Sequence, residues 1–96
     1  METVEILGVR AKVARTFRAR AKGLIGVKTL PLGEGLLIER CNAIHTFFMS
    51  FPIDATFLDR ANRVVRTVRN IPPFVPLVWG GFRAVKVLET AAGGVV

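Results

Sequence analysis

The sequence predicts a mainly β fold: a small β-sandwich or barrel-like domain with one short helix after the first strand. Three observations carry this expectation. Apolar residues recur with period two in several stretches, the spacing that places alternate side chains on one face of a strand. Those stretches are short and are separated by Gly, Pro, Asn and Asp clusters. Only Phe17 to Lys22 is punctuated like a helix. With 51% hydrophobic and 22% charged residues, the 96-residue chain has enough apolar surface to offset the entropy of ordering. Its length fits a single domain over residues 1–96.

Thr3 to Val13 reads as the first strand. Val4 and Ile6 alternate with Glu5 and Leu7, Gly8 fits less cleanly, and Ala11 and Val13 continue the pattern. Thr16 is an N-cap for the helix, and Gly23 ends it in the left-handed position. Phe17 and Ala21, four apart, share its expected buried side. Three cations in the first turns oppose the helix dipole, so this element depends on tertiary packing. Leu30 to Gly35 is a loop, and Gly35 to Glu39 a short buried strand ended by Cys41 to Ala43.

The apolar run from Ile44 to Asp59 holds four of the seven Phe residues and the only His. It reads as two core strands joined at Phe51-Pro52. In the second, Ile53, Ala55 and Phe57 face one way, and Asp54, Thr56 and Leu58 the other. Asp59-Arg60-Ala61-Asn62 has turn chemistry, with Asn62 suited to positive φ. Arg63 to Val68 returns as the partner strand, and the adjacent Val64 and Val65 suggest a bulge. Asn70 to Phe82 contains Pro72, Pro73 and Pro76, which argue against a strand. It reads as an extended loop laying Phe74, Trp79 and Phe82 over the open end of the core. Arg83 to Glu89 is the last strand, with Val85 and Val87 on one face, and Ala91 to Val96 is a small apolar tail.

Composition excludes several function classes. One cysteine, Cys41, cannot form an internal disulfide, and one Cys with one His cannot complete a tetrahedral zinc shell. No metal and no cofactor is expected. The longest uncharged runs, Cys41 to Ile53 and Asn70 to Phe82, are 13 residues each and too short for a membrane span. The acidic opening Met1 to Glu5 lacks the pattern of an export signal, which points to the cytoplasm unless a leader has been removed. The net charge of +7 and pI near 11.2 favour anionic partners. Seven cations fall between Arg10 and Lys28 with no acid among them, and Arg60, Arg63, Arg66 and Arg69 form a second cluster.

GLIG at Gly23 to Gly26, EGLLI at Glu34 to Ile38, HTFFMSFPIDATFLD at His45 to Asp59 and VLETAAG at Val87 to Gly93 occur in order and at ordinary spacings. Together they closely resemble the domain of unknown function 192 family, uncharacterised small bacterial and archaeal proteins. The resemblance covers the chain from about Val9 onward, with the central motif the most specific. It implies a compact, mostly β fold and no established activity. Its motif residues fall here on Gly23, Leu24, Gly35, Phe48, Met49, Pro52, Asp54, Phe57, Leu88, Glu89 and Gly93. Asn62 stands where relatives often carry glycine. Relatives usually run on into a further strand past the position of Val96; a chain without it would leave its last sheet edge open. Many relatives carry export signals.

Asp54 is the first site candidate, since a half-buried carboxylate must be paired, hydrogen-bonded or protonated. The favoured plainer reading is a carboxylate accepting backbone N–H bonds at the Phe51-Pro52 bend, or pairing with an arginine. His45 with Thr46 offers a base and a hydroxyl, and His45 with Asp54 offers a pair on adjacent strands. Adding Cys41 makes only a nominal Cys/His/Asp set, because nothing local activates the thiol. Glu89 is expected to pair with Arg83, Lys86 or either basic cluster. The preferred function is a non-catalytic binding or accessory module. Its cleft would lie between the central strand and the Pro/Trp loop, with His45, Thr46, Met49, Asp54, Trp79, Arg83 and Glu89 as candidate ligand contacts. An anionic small molecule, glycan, peptide or protein partner suits the charge. The alternatives are a small hydrolase or transferase using Asp54 and His45, and a nucleic-acid binder using the basic clusters.

Overall fold

A computed structural model describes residues 1–93 of the chain. The single strand expected over Thr3 to Val13 is a hairpin, β1 (Thr3–Ile6) and β2 (Val9–Ala14). Leu7 and Gly8 take positive φ, 51° and 76°, and form the two-residue turn between the directly paired Ile6 and Val9. The helix α1 (Phe17–Lys22) has the expected bounds. Thr16 Oγ1 accepts the Ala19 N–H at 3.1 Å, and Gly23 donates its N–H to the Ala19 carbonyl at 3.1 Å.

Phe17 does not supply the buried side of α1; it is 83% exposed. Half-buried Ala19 packs on the core, and Gly23 follows four residues later. A helix of six residues lies close to the sheet through these small positions, and its bulky first residue points away.

The remaining strands are β3 (Glu34–Glu39), β4 (Ala43–Ile44), β5 (Ile53–Leu58), β6 (Val64–Ile71), β7 (Val78–Trp79) and β8 (Lys86–Ala91). Six of the strands form one sheet in the order β1-β2-β3-β8-β5-β6, with only β2 and β3 parallel. β4 and β7 make a small second sheet. The fold is thus mainly β with one short helix after the first strands. β8 lies between β3 and β5, so Glu89 is flanked in register by Leu36 and Ala55.

Both faces of β5 are buried. Ile53, Ala55 and Phe57 join Leu36, Ile38, Val87, Met49 and Val78 in one cluster, beside Leu24 from the segment after α1. Leu58 on the other face joins Leu37, Leu88, Val9, Ala11 and Val13. Leu58 and Val9 share a cluster although two strands separate β5 from β2, so the sheet curls over this face. Phe57 is fully buried, and removing such a ring from water contributes roughly 2–3 kcal/mol.

Three further expectations need correction. The first of the two proposed core strands in the central run does not form. Beyond the two residues of β4, His45 to Pro52 is loop, and Phe48 takes φ 62° with its ring largely exposed. The Thr46 hydroxyl explains this loop: it donates to the Pro72 carbonyl at 2.7 Å and accepts the Val75 N–H at 2.8 Å, tying the backbone to a segment that is not a strand partner. Asn70 to Phe82 is not wholly loop, since β6 runs on to Ile71 and β7 pairs with β4. Its aromatics do not cover the core either. Phe74 and Phe82 are exposed, and Ile71 and Val78 are buried instead.

The turn at Asp59–Asn62 forms as read. Asp59 Oδ1 accepts the N–H groups of Ala61 and Arg63, both at 2.9 Å, and Asn62 sits at φ 62°. These bonds, led by that from Arg63, hold the Asp59 carboxyl below the usual range. The register shift between Phe57 and Leu58 places a bulge at Val65, and a second shift, between Ile53 and Ala55, falls opposite Arg69 and Asn70. The expected tail from Ala91 begins as the end of β8, and its last residues, 94–96, lie outside the described residues. Among the described residues, no helix is long and apolar enough to cross a membrane.

Candidate functional site: a cavity over Glu89

Asp54 is 1% exposed and structurally engaged. Its Oδ1 accepts the Asn70 N–H at 2.9 Å, its Oδ2 accepts the Gly93 N–H at 2.8 Å, and Arg69 Nη1 lies 3.6 Å from Oδ2. This carboxylate fastens the end of β6 to the turn after β8. Replacing Asp54 with alanine strands both donors and is expected to lower stability by about 2 kcal/mol. Asp54→Asn should cost nearly as much, because an amide NH2 would meet one of those N–H donors. Urea unfolding curves of the two variants check this; a loss from alanine alone would contradict it.

His45 and Asp54 do not meet. Asp54 is opposite Thr90 in register and Ala55 is opposite Glu89, so alternation sends Asp54 and Glu89 to opposite faces of the sheet. His45 lies on the Glu89 side, exposed, its Nδ1 accepting the Phe47 N–H at 3.1 Å. Thr46 is fully buried in the loop bonds already described. Trp79 stands on β7 with its ring edge-on to Phe82 at 4.8 Å, and Arg83 is exposed nearby in sequence. The proposed cleft joining all seven candidates is therefore not present as one site.

Three of the candidates do converge. His45, Met49 and Glu89 line a cavity of about 130 Å³, with Arg20, Lys22 and Gly23 from the end of α1 and with Cys41. Glu89 is the chemically telling member. It is expected to pair with a cation, but it is 1% exposed and, among the described residues, its Oε1 has no hydrogen-bond partner. Alternation along β8 puts Lys86 on the opposite face, where its amine donates to Asn62 Oδ1, while Glu89 is buried between β3 and β5. Burial alone pushes its carboxyl up to about 8, so it stays protonated at neutral pH.

Arg20, which sequence reasoning did not single out, carries a second unsatisfied group. One guanidinium N–H donates to the Arg40 carbonyl at 2.8 Å, while the buried Nε has no hydrogen-bond partner among the described residues. Gly23 explains the room above Glu89, since a Cβ there would stand 3.4 Å from Oε1. The Cys41 thiol donates to the Ala43 carbonyl at 3.1 Å, and burial, first among its causes, pushes its pKa up, the reverse of an activated nucleophile. Among the described residues, no three His, Cys, Asp or Glu side chains group as a metal site.

The first basic cluster is partly spoken for. Arg15 bonds Glu39 at 2.9 Å and pairs with Glu2, and Arg40 donates to the Arg15 carbonyl at 3.2 Å.

The fold and the motifs can be set beside known proteins. A protein of unknown function from Novosphingobium aromaticivorans DSM 12444 superposes with a TM-score of 0.82 at 26% identity. That match covers 88% of this chain, which spans 64% of the other. A protein from Sinorhizobium meliloti 1021, whose name proposes a transcription regulator, superposes with a TM-score of 0.83 at 19% identity. There 90% of this chain and 70% of the other are covered, and the likeness shows the fold alone. No curated protein matches the chain. The profile of the DUF192 family, described as Uncharacterized ACR, matches residues 2–95. Covering nearly the whole length, that match makes this chain a member of the DUF192 family.

Proposed function

We propose that the chain is a non-catalytic binding module whose cavity over Glu89 takes the carboxylate of a small molecule. One observation carries this reading: an unpartnered buried acid, Glu89 Oε1, and an unpartnered buried donor, Arg20 Nε, belong to residues lining the same cavity. Leaving such groups unsatisfied costs about 1–3 kcal/mol each, and a ligand that satisfies both recovers that cost. A carboxylate suits the pair, accepting from the guanidinium and from the protonated Glu89 carboxyl. An amine would meet the cations Arg20 and Lys22. The cavity is about 130 Å³, close to the size that admits benzene, so a compact head group enters rather than a glycan or a folded peptide.

Calorimetric titration with acetate, propionate and succinate, against acetamide and propionamide, tests this. The acids should bind and the amides should not. Glu89→Met should abolish binding, and Arg20→Met should weaken it about tenfold or more. Affinity in the native chain should fall above pH 8, where Glu89 loses its proton. Equal binding of amides and acids would end the proposal, as would a Glu89→Met variant that binds normally.

A further inference from the structure

We propose that a second cavity, on the other side of the C-terminal turn of α1, binds an aliphatic anion: a single alkyl chain with a carboxylate, sulfonate or phosphate head. This cavity is about 350 Å³, within the range of sites that enclose a drug-sized ligand. It lies between the β1–β2 hairpin, α1 and the segment from Leu24 to Pro31. Its aliphatic lining includes Leu24, Val27, Leu30 and Leu36, and its charged residues are Arg10, Lys12 and Lys22 against one acid, Glu34.

The strand pattern builds this arrangement. Val9, Ala11 and Val13 enter the core on one face of β2, so Arg10 and Lys12 project from the other, towards α1. On the opposite face of β3, a Cβ at Gly35 would stand 2.8 Å from the Glu89 carbonyl oxygen and 3.0 Å from Val9 Cγ1, so glycine lets β3 pack tightly on β8 and β2 beneath the cavity. Lys12 and Lys22 make no ion pair among the described residues. Arg10 meets Glu5 at 3.5 Å between two exposed side chains, a contact worth little. An anionic head at the cations with an alkyl chain along the leucines satisfies both halves of the cavity. No aromatic residue lines it, so it offers no stacking surface for a nucleobase.

Lys22 and Gly23 border both cavities, but the chemistries differ. The Glu89 cavity selects a compact head by shared hydrogen bonds, while this one selects an apolar chain and a charge. Calorimetry with decane-1-sulfonate below its micelle concentration tests the proposal. Butane-1-sulfonate, decyltrimethylammonium and phosphatidylglycerol vesicles serve as comparators. Decane-1-sulfonate should bind about tenfold or more tighter than the butane compound, since buried methylenes add affinity, and the cationic amphiphile should not bind. The double variant Lys12→Glu/Lys22→Glu should lose about tenfold or more. Thr29→Trp, which fills the cavity from an exposed position, should abolish binding; if it melts early, the lysine variant decides. Glu89→Met should bind decane-1-sulfonate as the native chain does. Equal uptake of the cationic amphiphile, loss of binding in Glu89→Met, or binding to vesicles alone would overturn the proposal.

Discussion

Glu89→Gln is expected to flatten the pH dependence of stability, with a gain over the native chain about 4 kcal/mol larger at pH 9 than at pH 5. The folded chain holds Glu89 protonated up to about 8, against an ordinary value of 4.5. Between those values the folded state keeps a proton that the unfolded state has released. Stability therefore falls as pH rises through that window and levels off above it. The loss is steepest midway between those values, where it approaches about 1.4 kcal/mol per pH unit. Glutamine is nearly the same shape and does not titrate, so comparing the two pH values cancels whatever the amide itself gains or loses. The neighbours do not mask the effect. Burial also raises the Cys41 thiol, which favours its neutral form, and Asp59, whose carboxyl is lowered, loses its contribution only in more acid solution. Guanidinium unfolding of both proteins at pH 5, 7 and 9 measures the difference. Parallel curves would mean that Glu89 ionises normally, and would also remove the protonated donor on which carboxylate binding depends.

The sequence was most legible where one short segment decides its own structure. Thr16 and Gly23 bound α1, Asp59 and Asn62 make their turn, and the alternation from Ile53 to Leu58 sets the two faces of β5. It was least legible where a residue adopts a conformation its type disfavours. Leu7, Phe48 and Phe74 all take positive φ, a region usually signalled by Gly, Asn or Asp. Pairing rules misled at Glu89 for a different reason. In a chain with twice as many cations as acids, an arginine partner is the natural expectation, but the order β3-β8-β5 buries the carboxyl, and Arg20, which lines the same cavity, donates to the Arg40 carbonyl instead. That order depends on pairings between segments about thirty and about fifty residues apart, which no local pattern encodes. Half of the candidate site was nevertheless present as motif residues. The Gly of GLIG and the Glu of VLETAAG meet at the cavity, whereas Arg20 had no distinguishing signal within RARAK.

Gly80→Ala is expected to destabilise the protein by about 3 kcal/mol or more, the upper range for forcing extra volume into a packed interior. The residue looked unremarkable in a loop rich in proline and glycine, but its backbone is pressed against the centre of the fold. A Cβ at this position would stand 2.2 Å from Phe57 Cδ1 and 2.4 Å from Cγ. Phe57 cannot yield, because it is fully buried on the central part of the sheet among Ile53, Ala55, Val87 and Val78. Gly80 cannot withdraw either, since its N–H donates to the Asn42 carbonyl at 2.7 Å and so extends the β4–β7 pairing. The methyl group must therefore tilt the ring or break that bond, and either change spreads into the wall that carries Ile44 and Met49. Its neighbour is the internal control. Gly81 has no atom within 4 Å of a built Cβ, so Gly81→Ala meets only the strain of φ 96° and should cost about 1–2 kcal/mol. Phe57→Leu in the Gly80→Ala background should recover part of the loss, because the smaller side chain vacates the space that the methyl needs. Thermal or urea unfolding of the three variants checks the ranking. A Gly80→Ala protein as stable as the native chain would mean that β7 does not lie against Phe57, and the wall of the Glu89 cavity would have to be redrawn.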